Sequence, residues 1–345
     1  MVRNARVAIT EPGRAELQES ELDESARGPG EVWIKTHFSL ISAGTEGAAF
    51  ANATGTHRYP AFPGYASVGE VVHEGSEFPD VKQGDLVFAY GGHHRYARAR
   101  LLCLKLPDGV EPSYAPFVRM ATVAMTALRV SNIELGDWAA VIGQGSVGTM
   151  CAQLLQLAGA ETVGIDLAAH RLEVAAECGV RHTVNATQGE EAVRAEVLRL
   201  TDGRGVETTV EAIGNPRTVH LAAQITGKLG EVILLGSPRG TYETDVTQVL
   251  NYVHLWNNGC LTFKGAHEWR YPVRHGALRD GDPVPKHSLE RNTRIGFELM
   301  RSGRLRYRPL RSHVLPPERA QEAYTGLRDK KEEYTGVVFD WTQMR

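Results

Sequence analysis

Apolar and polar residues alternate with period two in Glu31-Val32-Trp33-Ile34-Lys35-Thr36 and, more weakly, in Val68-Gly69-Glu70-Val71-Val72, so both runs predict strands. Asp80–Asp85 reads as a turn feeding a further strand at Leu86–Ala89. The first third is therefore expected to be an all-β module with glycines at its corners. From Gly136 the pattern changes. Apolar strands at 139–142, 162–165, 182–184, 206–212 and 231–235 are interleaved with helical stretches at 152–157, 171–178 and about 216–226. Such alternation predicts a parallel, doubly wound α/β sheet. Beyond Ala266 it stops; one helix near 293–301 and a last strand at 335–339 follow.

A chain of 345 residues is expected to form two domains, and 42% hydrophobic with 23% charged residues is a globular rather than a disordered composition. Gly is enriched, at 36 residues without a three-residue period, which excludes collagen and points to turns and close backbone approaches. A net charge of −3 makes no global case for nucleic acid or a membrane surface. No secretory leader and no membrane-length apolar run are found, and the four cysteines form no CxxC or Cys/His cluster. A cytoplasmic protein with reduced thiols is expected.

The richest chemical signal is Val141-Ile142-Gly143-Gln144-Gly145-Ser146-Val147-Gly148, between a strand and a helix. Gly143 permits the tight turn, Gly145 lets a pyrophosphate approach, and Gly148 lets the helix pack on the sheet. Ser146 and Val147 open the helix, where free N–H groups meet phosphate charge. The next strand ends in Asp166, 18 residues beyond Gly148, the place for a carboxylate that accepts from an adenosine ribose. Asp166 would repel a 2′-phosphate, so NAD is expected over NADP. Arg171 would receive such a phosphate only if it turned inward, and is expected on a solvated helix face.

With these residues placed, the chain from about residue 30 onward resembles the medium-chain dehydrogenase/reductase superfamily. The markers are Gly30-Glu31-Val32, Pro63–Gly69, Lys105-Leu106-Pro107, the Gly143 turn, Glu211–Gly214, Lys264-Gly265-Ala266 and Ser312–Pro316. The resemblance implies a GroES-like β-module (1–125), a Rossmann NAD-binding domain (126–267) and a C-terminal segment (268–345) returning to the first. It also implies that Ala212, Leu235-Gly236-Ser237 and Ala266-His267 line the nicotinamide end of the cofactor. A homodimer or tetramer built through the Rossmann sheets is expected on the same ground.

Where zinc-binding relatives carry a Cys, this chain has Ala43; where they carry His-Glu, it has Tyr65-Ala66; a third ligand falls near Met120. None is a good zinc donor, so the resemblance implies a zinc-independent member, and a weaker likeness of Ile41–Glu46 points to bacteriochlorophyllide dehydrogenases and sugar oxidoreductases. Protein groups must then handle the alcohol proton. Thr45, at the family's relay hydroxyl, together with Glu46, Tyr65 and His94 are the candidates, with Tyr65 or His94 donating and Thr45 positioning the oxygen.

From Arg270 to Arg311 there are eleven Lys or Arg and four Asp or Glu, a local excess of about +7. Arg270, Arg274 and Arg279 are candidates for attracting an anionic substrate; a solvated basic face is the plainer reading, and nucleic acid is not expected because aromatic interleaving is sparse. The expected activity is NAD-dependent hydride transfer to or from a secondary alcohol or ketone of the polyol, sugar or cyclitol class. The alternatives are an NADPH-dependent quinone or enoyl reductase and a nucleotide-binding protein without turnover.

Overall fold

The computed structural model describes residues 2–274 and 286–344; Arg279 and much of the extra segment after Glu268 lie outside them. The chain divides into two compact units. The first comprises Met1–Arg119, Tyr271–Arg301 and Arg311–Arg345; the second comprises Met120–Arg270 and Ser302–Leu310. The first junction falls six residues before the expected 125/126 boundary, and the short stretch 302–310 joins the second unit rather than the first.

The first unit opens with an antiparallel hairpin, β1 (Val2–Glu11) and β2 (Arg14–Leu22), followed by β3 (Val32–Leu40). A seven-residue helix, α1 (Thr45–Ala51), follows β3. Then come β4 (Ser67–His73), β5 (Leu86–Ala89), β6 (Tyr96–Ala99) and β7 (Cys103–Lys105). One apolar cluster under these strands unites Val32, Ile34, Val71, Phe78, Val87 and Ala97, alternate positions of the strands facing one core.

A helix, α2 (Val118–Val130), spans the junction. In the second unit β8 (Trp138–Ile142), α3 (Ser146–Leu157), β9 (Glu161–Asp166), α4 (Ala169–Glu177), β10 (His182–Asn185), α5 (Glu190–Leu200), β11 (Val206–Glu211), α6 (Thr218–Ile225), β12 (Thr226–Leu234), α7 (Val246–His254) and β13 (Thr262–Gly265) alternate. The strands pair in parallel in the order β10-β9-β8-β11-β12-β13. That order reverses direction between β8 and β11, the switch point at whose strand ends ligands bind in such sheets.

The remaining elements are α8 (Leu289–Arg301), β14 (Arg311–Leu315), α9 (Ala320–Asp329) and β15 (Gly336–Asp340). The two strands complete the first unit's sheet, in the order β14-β15-β3-β4-β5-β7 with β6 also on β3. A second core packs Tyr324 and Leu327 of α9 with Phe50, Phe339 and Trp341. The α/β architecture expected from the sequence, a β-module and a doubly wound Rossmann sheet, is thus present.

Candidate active site

The nucleotide turn lies at the carboxyl end of β8. Gly143 has φ +97° and its N–H donates to Ile165 O at 2.7 Å, a conformation that L side chains rarely adopt. A Cβ at Gly148 would fall 1.8 Å from Gly143 O, so α3 can dock on the turn only with glycine there. A Cβ at Gly145 would meet nothing within 4 Å. That open face adjoins the start of α3, whose cap at Gly145 has no side-chain hydrogen bond, leaving the N–H groups around Ser146 and Val147 turned to an approaching anion.

Asp166, at the end of β9, is buried, and its two oxygens accept from Gln144 N (2.7 Å) and Ala168 N (2.9 Å). It therefore shapes the turn in addition to offering its remaining lone pairs to a ribose. Arg171 departs from its expected solvated position: it is partly buried, and its Nε has no partner. Ala212 N donates to Ile142 O, Leu235 N and Gly236 N both donate to Glu211 O, and Ala266 N donates to Leu234 O. The expected cofactor segments thereby gather at the carboxyl ends of β8, β11, β12 and β13. Burial raises the Glu211 carboxyl pKa against the N–H groups of Gly214 and Ile213 that it accepts from. Ser237 and His267 are exposed beside them.

In the first unit the sheet and α1 assemble a buried polar network. Gly64 has φ +103°, and a Cβ there would fall 2.4 Å from His93 N, so this glycine lets the Pro63–Tyr65 segment run against the His93 loop. His93 N donates to Pro63 O, and Val7 N donates to His93 O. The His93 ring, 0% exposed, meets Glu46 Oε2 through Nε2 at 2.9 Å and Ser39 Oγ through Nδ1 at 2.8 Å. The same Glu46 oxygen accepts from Tyr324 OH at 2.6 Å, and Oε1 accepts from Ser42 N at 2.9 Å. Trp341 Nε1 donates to Ser39 Oγ. Facing a carboxylate, Nε2 donates to Glu46, while Ser39 Oγ is hydrogen-bonded at Nδ1. Glu46 thus orients the network with every donor satisfied.

Tyr65 joins this network at its surface. Its phenol donates to Ser42 Oγ and is hydrogen-bonded by Thr45. Burial and the nearby Glu46 carboxylate raise its pKa, while the Ser42 and Thr45 hydroxyls and the Arg119 guanidinium lower it. The Arg119 guanidinium carbon lies 4.7 Å from the Tyr65 ring centre and 4.5 Å from that of Tyr90. Thr45, Glu46 and Tyr65 are therefore brought together. His94 takes a different place: it bridges to Arg6 of β1, and burial with the charges of His93, Arg6 and Arg98 pushes its pKa down to about 4. A neutral His94 is poorly suited to donate a proton near pH 7. The buried neighbour His93 and the cation Arg119 were not among the expected residues; Met120, which was, is buried and belongs to the second unit.

These residues do not fit a catalytic zinc. Ala43 offers no donor atom, Tyr65 is protonated and committed to hydroxyl partners, and a guanidinium stands over its ring. Among the described residues no three His, Cys, Asp or Glu side chains group as metal ligands. Two of the expected anion receptors, Arg270 and Arg274, are engaged elsewhere. Arg270 donates to Gly265 O, and Arg274 pairs with Glu77 at 2.8 Å beside a cavity of about 290 Å³ that none of the Tyr65 partners lines. On α8, Arg294 and Arg301 pair with Glu290 and Glu298, as on a solvated basic face. No helix among the described residues is long and apolar enough to cross a membrane.

Residues 146–273 match the family model described as zinc-binding dehydrogenase. The chain is 29% identical over 168 residues to an uncharacterized zinc-type alcohol dehydrogenase-like protein of Haemophilus influenzae, covering 48% of each chain. It is 30% identical over 152 residues to a D-guloside 3-dehydrogenase of Shigella flexneri, covering 43% of each. The matches thus span about half the length of these curated relatives. The crystal structure of galactitol-1-phosphate dehydrogenase from Escherichia coli shares the fold with a TM-score of 0.80 at 20% identity, over 97% of this chain and 99% of that one. The chain is thus similar in sequence to zinc-type dehydrogenases over 146–273 and shares the fold of these enzymes over nearly its whole length.

Proposed function

We propose that this protein is a zinc-independent, NAD(H)-dependent oxidoreductase acting on a secondary alcohol or its ketone, of the polyol, sugar or cyclitol class. The observation that carries the reading is the Gly143–Gly148 turn, whose open Gly145 face and uncapped helix start suit a dinucleotide pyrophosphate. The substrate class is supported by two relatives named for a guloside and a galactitol phosphate. When bound, the nicotinamide supplies the hydride donor or acceptor. The chain's own residues handle the proton. Tyr65, held protonated by burial, gives its O–H proton to the carbonyl oxygen as that oxygen takes the C=O electron pair. Ser42 and Thr45 hold the phenol in line, and Glu46 with His93 and Tyr324 fixes the loop carrying them. Solvent returns the proton, and the reverse sequence oxidises the alcohol.

Arg171, partly buried with Nε unpartnered, favours a second reading in which a 2′-phosphate is accepted and NADP is used. The test is a panel of polyols, sugars, cyclitols and their ketones, with NAD(H) and NADP(H), on chelator-treated protein. Stereospecific transfer of label from NADH without added metal is the expected result. Activity that required zinc would overturn the metal-free mechanism, tighter NADPH than NADH binding would reverse the cofactor, and no transfer to any ketone would leave a nucleotide-binding protein.

A further inference from the structure

Arg119 stands where charge is costly. It is 3% exposed, and it lies in the first turn of α2, whose helix dipole already presents positive charge. A buried apolar residue would fill such a site at lower cost. The Arg119 guanidinium stands over two aromatic faces, those of Tyr65 and Tyr90.

The charged groups facing Tyr65 come from two elements. Glu46 on α1 disfavours a negative phenol oxygen, and Arg119 on α2 favours one. Ser42 and Thr45 add neutral hydroxyls. Removing Arg119 would leave the Glu46 carboxylate acting on the phenol without this opposing cation.

We infer that Arg119 is a positioning residue that acts through Tyr65: it fixes the ring by stacking and supplies the permanent positive charge that a catalytic zinc supplies in metal-dependent relatives, so that the oxygen giving up a proton bears negative charge at lower cost. The inference rests on the oxidoreductase reading for its meaning in catalysis, but its physical content can be measured without turnover.

The test compares wild type with Arg119→Met, Arg119→Lys and Tyr65→Phe, using Arg119→Gln if the methionine variant does not fold. Tyrosinate difference absorbance in the cofactor-free protein, with the Tyr65→Phe trace subtracted, isolates the Tyr65 phenol. Its ionisation is expected to move to higher pH in Arg119→Met and back toward wild type in Arg119→Lys. The alkaline limb of the alcohol oxidation rate should follow the same order. The rate in Arg119→Met should fall about 10²-fold, the scale seen when one oxyanion-stabilising group is lost, with NADH affinity unchanged. A folded Arg119→Met or Arg119→Gln variant whose Tyr65 ionises as in wild type would overturn the inference. A shifted ionisation in a protein that turns over no alcohol would sustain the Tyr65–Arg119 coupling and sink the oxidoreductase reading instead.

Discussion

Two alanine substitutions three residues apart should have opposite effects on stability, and only one of them should weaken ligand binding without a cost in stability. Gly145 has φ −71° and ψ −176°, extended backbone that alanine also adopts, and its Cβ would meet no atom. Gly145→Ala therefore loses unfolded-chain entropy without native strain, a gain of about 0.4–1 kcal/mol. For a unit of this size, that raises the unfolding midpoint by about 1–4 °C. Its methyl group nevertheless occupies the face that a pyrophosphate must approach, so NADH affinity should fall at least about tenfold, or 1.4 kcal/mol. Gly148→Ala instead drives a Cβ to 1.8 Å from Gly143 O, a backbone atom that cannot swing aside. Overpacking of this kind costs about 1–3 kcal/mol or more, lowering the midpoint by about 2–12 °C. Scanning calorimetry and NADH fluorescence titration on both variants suffice. If Gly145→Ala bound NADH as wild type does, the turn would not be the phosphate cradle argued above.

Other outcomes follow from the same geometry. His94, with a folded pKa near 4 against about 6.5 when unfolded, stays neutral while the unfolded chain gains a proton. Its contribution is thus complete above pH 6.5 and is lost as pH falls toward 4, by up to roughly 3 kcal/mol; urea titrations at pH 7 and pH 4.5 should show a smaller difference in His94→Gln than in wild type. Asp166→Ala should weaken NADH binding and also cost about 1–3 kcal/mol in stability, because it strands the Gln144 and Ala168 N–H groups; a loss of binding at unchanged stability would contradict the turn-shaping role. Tyr65→Phe should retain NADH binding and lose about 10²–10⁴-fold in turnover, measured under single-turnover conditions.

What could be read ahead of the fold was what depends on near neighbours in the chain. The glycine spacing from Gly143 to Gly148 and the strand–helix alternation around it are local, and both reappear in the structure. The short helix α1 carries no readable signal because Thr45–Ala51, seven residues long, is too short to show a period, and its Glu46 is placed by partners in distant segments. His93 and His94 are indistinguishable as a pair of letters. Which of them turns inward is decided by Gly64 and Pro63, whose backbone the loop touches. Arg119 was passed over in favour of its neighbour Met120 for a similar reason: a one-residue step along a helix turns a side chain by about 100°, and only the Tyr65 and Tyr90 rings show which way Arg119 faces. Arg171 was placed on a solvated face by helical pattern alone, and packing around α4 encloses it further than that pattern suggested.

The threading of the chain has a consequence for synthesis on the ribosome. One edge of Phe38–Leu40 in β3 lies against β4, but the other edge finds its antiparallel partner in β15. About 300 residues intervene, which at 5–20 residues per second is roughly 15–60 s of exposed strand edge. All six strands of the second unit's sheet, by contrast, are translated consecutively and can pair as they emerge. The second unit is therefore placed to complete its sheet first, while β3 of the opening module keeps one edge open until its last strand arrives.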